Sequence, residues 1–283
     1  MSSPAIWLDP ATGVEERLEH VWTPRGQLYT WAARPPLARS CVVVCSSVFG
    51  DFTANYHRER LLARELVSKG VGVIRFHYAG EGNSQGERRA MTFSSLREDT
   101  KAVVDHGVSL GFTEFGFLGT RMGALVAASA AVSLPSVPIA LWEPVVDPLR
   151  LVADAQRAKR MSQLAQEGGG AETSDWRRDL DRNGMLDLVG YDVYPPLLHS
   201  LMDVDLLTTL GSTPRRVLIV RFRGKPGAPD PLASALLERG FSVQSEVVDL
   251  SVAWWFQDEQ VSDGGDLVTM TAVWLSSALS EKR

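Results

Sequence analysis

The sequence has no excess of positive charge, no long apolar run, only two cysteines and no histidine after His199. Each absence excludes something. Lys and Arg number 29 against 34 for Asp and Glu, and the net charge of -5 gives no electrostatic case for nucleic acid or for an anionic membrane. No stretch approaches the roughly 20 apolar residues of a membrane-spanning helix. The start, "MSSPAIWLDPATGVEE", lacks the basic and apolar regions of a secretory signal, so a cytoplasmic location is expected. Cys41 and Cys45 lie four apart on one apolar run. On an extended chain they stand more than about 12 Å apart, too far for a disulfide. They read as buried core thiols, and no further Cys pair or His cluster completes a zinc site. The Gly-rich turn "AGEGNSQGE" lacks the Lys-Ser/Thr of a phosphate loop, so no nucleotide, metal or other cofactor is expected.

What is present is alternation. In a chain of 283 residues with 45% hydrophobic content, "VEERLEHVW" and "QLYTWAARP" read as paired strands around a Pro-Arg-Gly turn. "CVVVCSS" is a continuous β-branched run, the mark of a strand buried on both faces. "YHRERLLARELVSKG" has helical spacing and ends at Gly70. The strand "VGVIRFHY", a serine-capped helix "SSLREDTKAVVDHGVSLG", the strand "FGFLGT", the helix "GALVAASAAVSL" and the strand "VPIALWEPV" follow. This order predicts a mostly parallel sheet with helices on both faces. Residues 149–212 break the pattern and read as a small helical cap between an N-terminal core portion, 1–148, and a C-terminal one, 213–283. The last portion supplies "RRVLIVRF", "PDPLASALLERG", "SVQSEVVDL" and the closing helix "DLVTMTAVWLSSAL".

Strand, sharp turn and small-residue helix meet at Gly119-Thr120-Arg121-Met122-Gly123. That is the shape of a G-x-S-x-G nucleophile elbow with arginine in the serine's place. With this elbow, "VVVCSSVFGDFTANYHRERLLARELVSKGVGVIRFHYAGEGNSQGE", "ALWEPVVDPLRLV" and "GYDVYPPLLHSLMDVDL", the chain resembles the α/β-hydrolase superfamily over about residues 38 to 275. More narrowly, it is similar to the serine-aminopeptidase-like, exosortase-associated and biosynthetic-cluster hydrolases of bacteria. The resemblance implies an α/β-hydrolase fold with a cap and a triad in the order Ser, acid, His.

The triad is not there. Arg121 holds a guanidinium that stays protonated and cannot be a nucleophile at neutral pH. The histidine slot, near "VVDLSVAWWFQDE", offers Trp254 and Trp255 instead. Asp230 sits near the acid position but also reads as a helix N-cap ahead of Pro231. An ordinary acyl-enzyme route is therefore not expected.

Other features of the pocket remain. The resemblance places oxyanion donors at the backbone N–H groups of Met122 and of a residue near Phe49, beside Ser47. Arg121 adds positive charge at a helix N-terminus, where the macrodipole already has that sign. Glu143 or Asp147 in the chain, or a bound anion, would compensate it. Two readings of Arg121 thus stand open: it fixes an anionic ligand or developing oxyanion, or it pairs with Glu143 and plugs the site. His77, at the carboxyl end of its strand, is a proton-transfer candidate and alternatively orders its loop. Trp254 reads as pocket lining. The expected function is non-hydrolytic proton transfer on an acyl, ester, thioester or peptidyl metabolite, with Arg121, His77 and Glu143 as the acting side chains. The alternatives are a pseudohydrolase that binds a protein partner, and a residual esterase or thioesterase.

Overall fold

Strand β4, Ser40–Cys45, is buried at every position, and its Val and Cys side chains enter both layers of the core. Among the described residues it lies near the middle of a nine-stranded sheet whose order is β1-β2-β3-β5-β4-β6-β7-β10-β11. The computed structural model describes residues 4–134, 136–167, 176–188, 190–250 and 264–281. The other strands are β1 Ala5–Leu8, β2 Glu15–Thr23, β3 Gly26–Arg34, β5 Gly72–Phe76, β6 Glu114–Thr120, β7 Ile139–Trp142, β10 Arg216–Arg221 and β11 Ser242–Val247. From β1 to β5 the pairings are antiparallel, and from β5 through β4 to β11 they are parallel. The predicted mostly parallel sheet with helices on both faces is the observed architecture.

Helices α1, Asp51–Ser68, and α9, Gly265–Ser280, pack on one face. Helices α2, Phe93–Ser109, and α3, Gly123–Val132, pack on the other. Buried Trp142 at the end of β7 donates its indole N–H to Thr271 Oγ1 of α9 at 2.9 Å, which satisfies the one polar atom of a large core side chain. Between β7 and β10 run α4 Pro148–Glu167, α5 Trp176–Asn183, a ribbon of β8 Leu186–Asp187 with β9 Asp192–Val193, α6 Pro195–Ser200 and α7 Leu206–Thr209. Helix α8, Pro231–Glu238, joins β10 to β11. No helix among the described residues is long and apolar enough to cross a membrane.

The structure departs from the sequence reading at element ends. Strand β1 is an addition; all four of its residues are exposed, so no hydrophobic alternation announces it. Helix α1 begins at Asp51, five residues before the apolar periodicity does. The cap of α2 is Thr92 in a reciprocal box with Ser95, two residues before Ser94, the first serine of the expected helix. Strand β7 stops at Trp142 because Glu143 adopts φ 41°. Both cysteines are free and buried, and burial pushes their thiols up, Cys45 to about 12.

Candidate functional site

The elbow is built from backbone. Arg121 has φ 53°, the left-handed region that costs a residue with a Cβ roughly 1–2 kcal/mol. The surrounding main chain holds it there. Its N–H donates to Trp142 O at 2.9 Å, and its carbonyl accepts from Ala124 N at 3.1 Å and Val145 N at 3.3 Å. The flanking glycines are steric requirements. A Cβ on Gly119 would lie 2.6 Å from Ala124 Cα, and one on Gly123 would lie 2.0 Å from Cys45 O. The sharp turn between β6 and α3 thus puts residue 121 at the sheet's carboxyl edge, where a hydrolase would present its nucleophile.

The Arg121 guanidinium reaches the backbone carbonyl of Glu143, with Nη1 at 3.5 Å. The Glu143 carboxylate turns elsewhere. Its Oε2 accepts from Phe222 N at 2.6 Å, and its Oε1 lies 3.5 Å from Arg221 Nη1. Arg221 in turn binds Asp230 through Nε at 2.6 Å and Pro144 O at 3.2 Å. Asp230 caps α8, accepting from Leu232 N and Ala233 N. Burial opposes ionisation of Asp230, but the Arg221 hydrogen bond and charge outweigh it and hold the carboxyl below its usual range. The N-cap reading of Asp230 is the observed one. Asp147 is likewise engaged in capping, accepting from Leu149 N and Arg150 N.

Around the expected oxyanion hole, Phe49 has φ 67° and is buried. The Met122 N–H points at Ser47 Oγ over 3.4 Å, a long contact, while the Ser47 hydroxyl donates to Val48 O at 3.0 Å. Tyr191, just before β9, packs edge-on to Phe49 with ring centroids 5.6 Å apart. Its hydroxyl donates to Glu81 Oε1 in a short bond and also faces the Phe49 backbone. Arg88 bonds the same carboxylate at 3.1 Å and lies 4.2 Å from the Tyr191 ring centroid. Burial first, and then Glu81, raise the Tyr191 phenol well above its ordinary value, so it stays a proton donor. Burial also raises Glu81. Sequence reasoning placed Tyr191 in a cap segment without a role; nothing local in "GYDVY" shows that it returns to the loop after β4.

His77 directly follows β5, which stands two strand spacings, roughly 10 Å, from β6 in the sheet order. Its ring stacks on Tyr29 with centroids 5.0 Å apart and meets Phe52 edge-on at 5.3 Å. Nδ1 accepts from Asn83 N at 3.0 Å, so a neutral ring carries its proton on Nε2. The His77 carbonyl accepts from Ser84 Oγ at 2.6 Å, and both bonds order the loop after β5. Trp254 lies outside the described residues.

Burial and then the Arg75 charge hold the His77 imidazole below its ordinary value. The folded chain therefore binds this proton less well than the unfolded chain. The associated stability is complete above the unfolded pKa of about 6.5 and is lost as pH falls through that value and below it. Relative to His77→Gln, the wild type is expected to lose stability between about pH 7 and pH 5 in parallel denaturation series. Superimposable pH profiles would remove His77 as the cause.

The sheet, its helices and the kept elbow define an α/β-hydrolase fold. The chain superimposes on Est1E from Butyrivibrio proteoclasticus with ferulic acid bound (TM-score 0.64, 14% identity, covering 92% of this chain and 99% of that one). It is similar to a proline iminopeptidase of Mycobacterium smegmatis (TM-score 0.63, 15% identity, 94% and 100%). It is also similar to mouse alpha/beta hydrolase domain-containing protein 10 (TM-score 0.58, 14% identity, 98% and 99%). No family model matches the sequence, and no curated protein sequence matches it.

Proposed function

We propose that this chain is an α/β-hydrolase-fold protein without acyl-enzyme chemistry, which holds an acyl, ester, thioester or peptidyl metabolite and promotes proton transfer on it. The observation that carries this reading is the left-handed elbow conformation kept at Arg121, a strained backbone presenting a permanent cation where a nucleophile would stand. An enolate or carboxylate next to Arg121 and the Met122 N–H would meet charge and a helix N-terminus together. Epimerisation, elimination or cyclisation then needs a proton donor or acceptor. Glu143 is engaged by Phe222 and Arg221, and His77 by Asn83. The Tyr191–Glu81 pair beside Phe49 offers a protonated phenol on a buried carboxylate, and we assign it the proton-moving role ahead of those two.

The test is ligand capture. Wild type and Arg121→Ala are incubated with extract of the source cells and examined by native mass spectrometry. The wild type is expected to retain an acidic small molecule that the variant loses; a variant that retains every acidic compound the wild type holds would sink the anion-holding role.

A second reading, a pseudohydrolase acting as a binding partner, is favoured by one feature. Ile6, Trp7, Leu8, Leu18 and Trp22 are 41–61% exposed on β1 and β2, at the sheet edge. A co-purifying protein in the same spectra, with no small molecule, is the outcome that reading predicts.

A further inference from the structure

A cavity lies between α1 and the antiparallel end of the sheet, and it reaches Ser46 just past β4. Its volume is about 240 Å³. A cavity of about 150 Å³ already admits benzene, so this one has room for a benzene-sized ring and a small polar group. Helix α1 contributes Phe52, Tyr56, Arg60 and Arg64 to its wall, β3 contributes Tyr29 and Trp31, and β5 leads into it through Arg75 and His77. Arg121 does not line it.

Two properties of the wall are unusual together. The first is charge. Among the described residues, three guanidinium groups, on Arg60, Arg64 and Arg75, face it with a single carboxylate, Glu16, and Glu16 already accepts from the Trp31 indole N–H at 3.0 Å. Arg75 stacks on the Tyr56 ring, 4.4 Å from its centroid, but its Nε is buried with no hydrogen-bond partner. Buried Glu59 lies near enough to feel the Arg75 charge, yet burial raises its carboxyl toward the neutral form. A buried guanidinium N–H without an acceptor costs free energy unless an oxygen arrives. The second property is aromaticity. Tyr29 and His77 are stacked, and Tyr56 and Phe52 stand tilted and edge-on to His77. Such walls accept a planar ring.

We propose that this cavity is a binding site for a small aromatic carboxylate, its ring held among Tyr29, Tyr56 and His77 and its carboxylate read by Arg75 with Arg60 and Arg64. Arginine suits this task because its planar fork matches both oxygens of a carboxylate. Arg60 and Arg64 line the cavity and are exposed, Arg60 with Nη2 3.1 Å from His57 Nδ1, so both offer charge to an arriving anion.

Calorimetric titration of the full chain tests this with three probes: benzoate, benzyl alcohol (ring without charge) and acetate (charge without ring). Benzoate is expected to bind at least about tenfold more tightly than either, the difference a charge-assisted hydrogen bond makes. Arg75→Gln is expected to abolish that preference. The double variant Arg60→Gln/Arg64→Gln, on exposed positions that leave the fold intact, is expected to weaken benzoate at least about tenfold by the same reasoning, so the test stands even where Arg75→Gln fails to fold. Arg121→Ala is expected to bind benzoate as the wild type does. The proposal is overturned by benzoate binding no better than the other probes, by unchanged binding in the double variant, or by loss of binding in Arg121→Ala.

Discussion

A Gly123→Ala variant is expected to melt about 5 °C below the wild type. The added methyl would sit 2.0 Å from Cys45 O and 2.6 Å from Ser46 O. Both are backbone atoms, at the end of the central strand β4, so no side-chain rotation relieves the overlap. Ordinary overpacking costs about 1–3 kcal/mol, and a clash of main chain with main chain belongs at or above the upper end. For a chain of 283 residues, about 3 kcal/mol corresponds to roughly 5 °C. The same displacement moves Met122, whose N–H is directed at Ser47. Gly265→Ala is the control: nothing lies within 4 Å of its added Cβ, and alanine suits a helix start in α9 better than glycine. Calorimetric melting of the two variants checks the expectation. A Gly123→Ala protein that melts with the wild type would mean that α3 is not seated against β4.

Much of this fold was legible because its signals are local. The unbroken "CVVVC" run, the helical periodicity of α1 and α2 and the Asp230-Pro231 cap each follow from a few neighbouring residues. The elbow was legible for the same reason, since glycines two positions either side of Arg121 are needed by sterics at the turn itself. Partnerships across the chain were not. Glu143 and Arg121 sit on adjoining strand ends, which invited an ion pair, but the turn at Glu143 sends its carboxylate to the Phe222 N–H and Arg221. The Tyr191–Glu81 bond joins residues 110 apart, and the Arg75–Tyr56 stack joins a strand to the helix before it. No periodicity encodes either, because each depends on how the cap and α1 settle on the sheet. The cap boundaries at 149 and 212 remain a proposal, and β1 escaped notice because exposed edge strands need no apolar alternation.

Arg121→Ala is expected to lower proton-transfer turnover by about 10²–10³-fold, the usual consequence of removing one donor from a developing oxyanion. The reasoning is chemical. At position 121 the guanidinium cannot attack a carbonyl, and no histidine follows residue 199 to act as base. What position 121 can do is stay charged beside a helix start, where an enolate forms more readily than in water. Binding is expected to weaken as well, but less than turnover, because the charge on the oxygen is greater at the transition state than in the bound substrate. The kept elbow geometry makes the two effects separable, since the Arg121 backbone is fixed by Trp142, Ala124 and Val145 rather than by its side chain.

The most direct measurement is α-proton exchange in D₂O, followed by NMR, on the compound retained in ligand capture and on simple N-acetylcysteamine thioesters. The wild type is predicted to incorporate deuterium next to the carbonyl without cleaving the ester or thioester and without labelling by a fluorophosphonate, and Arg121→Ala is predicted to lose that exchange. Hydrolysis through a labelled acyl-enzyme in the wild type, or equal exchange in the two proteins, would contradict the account.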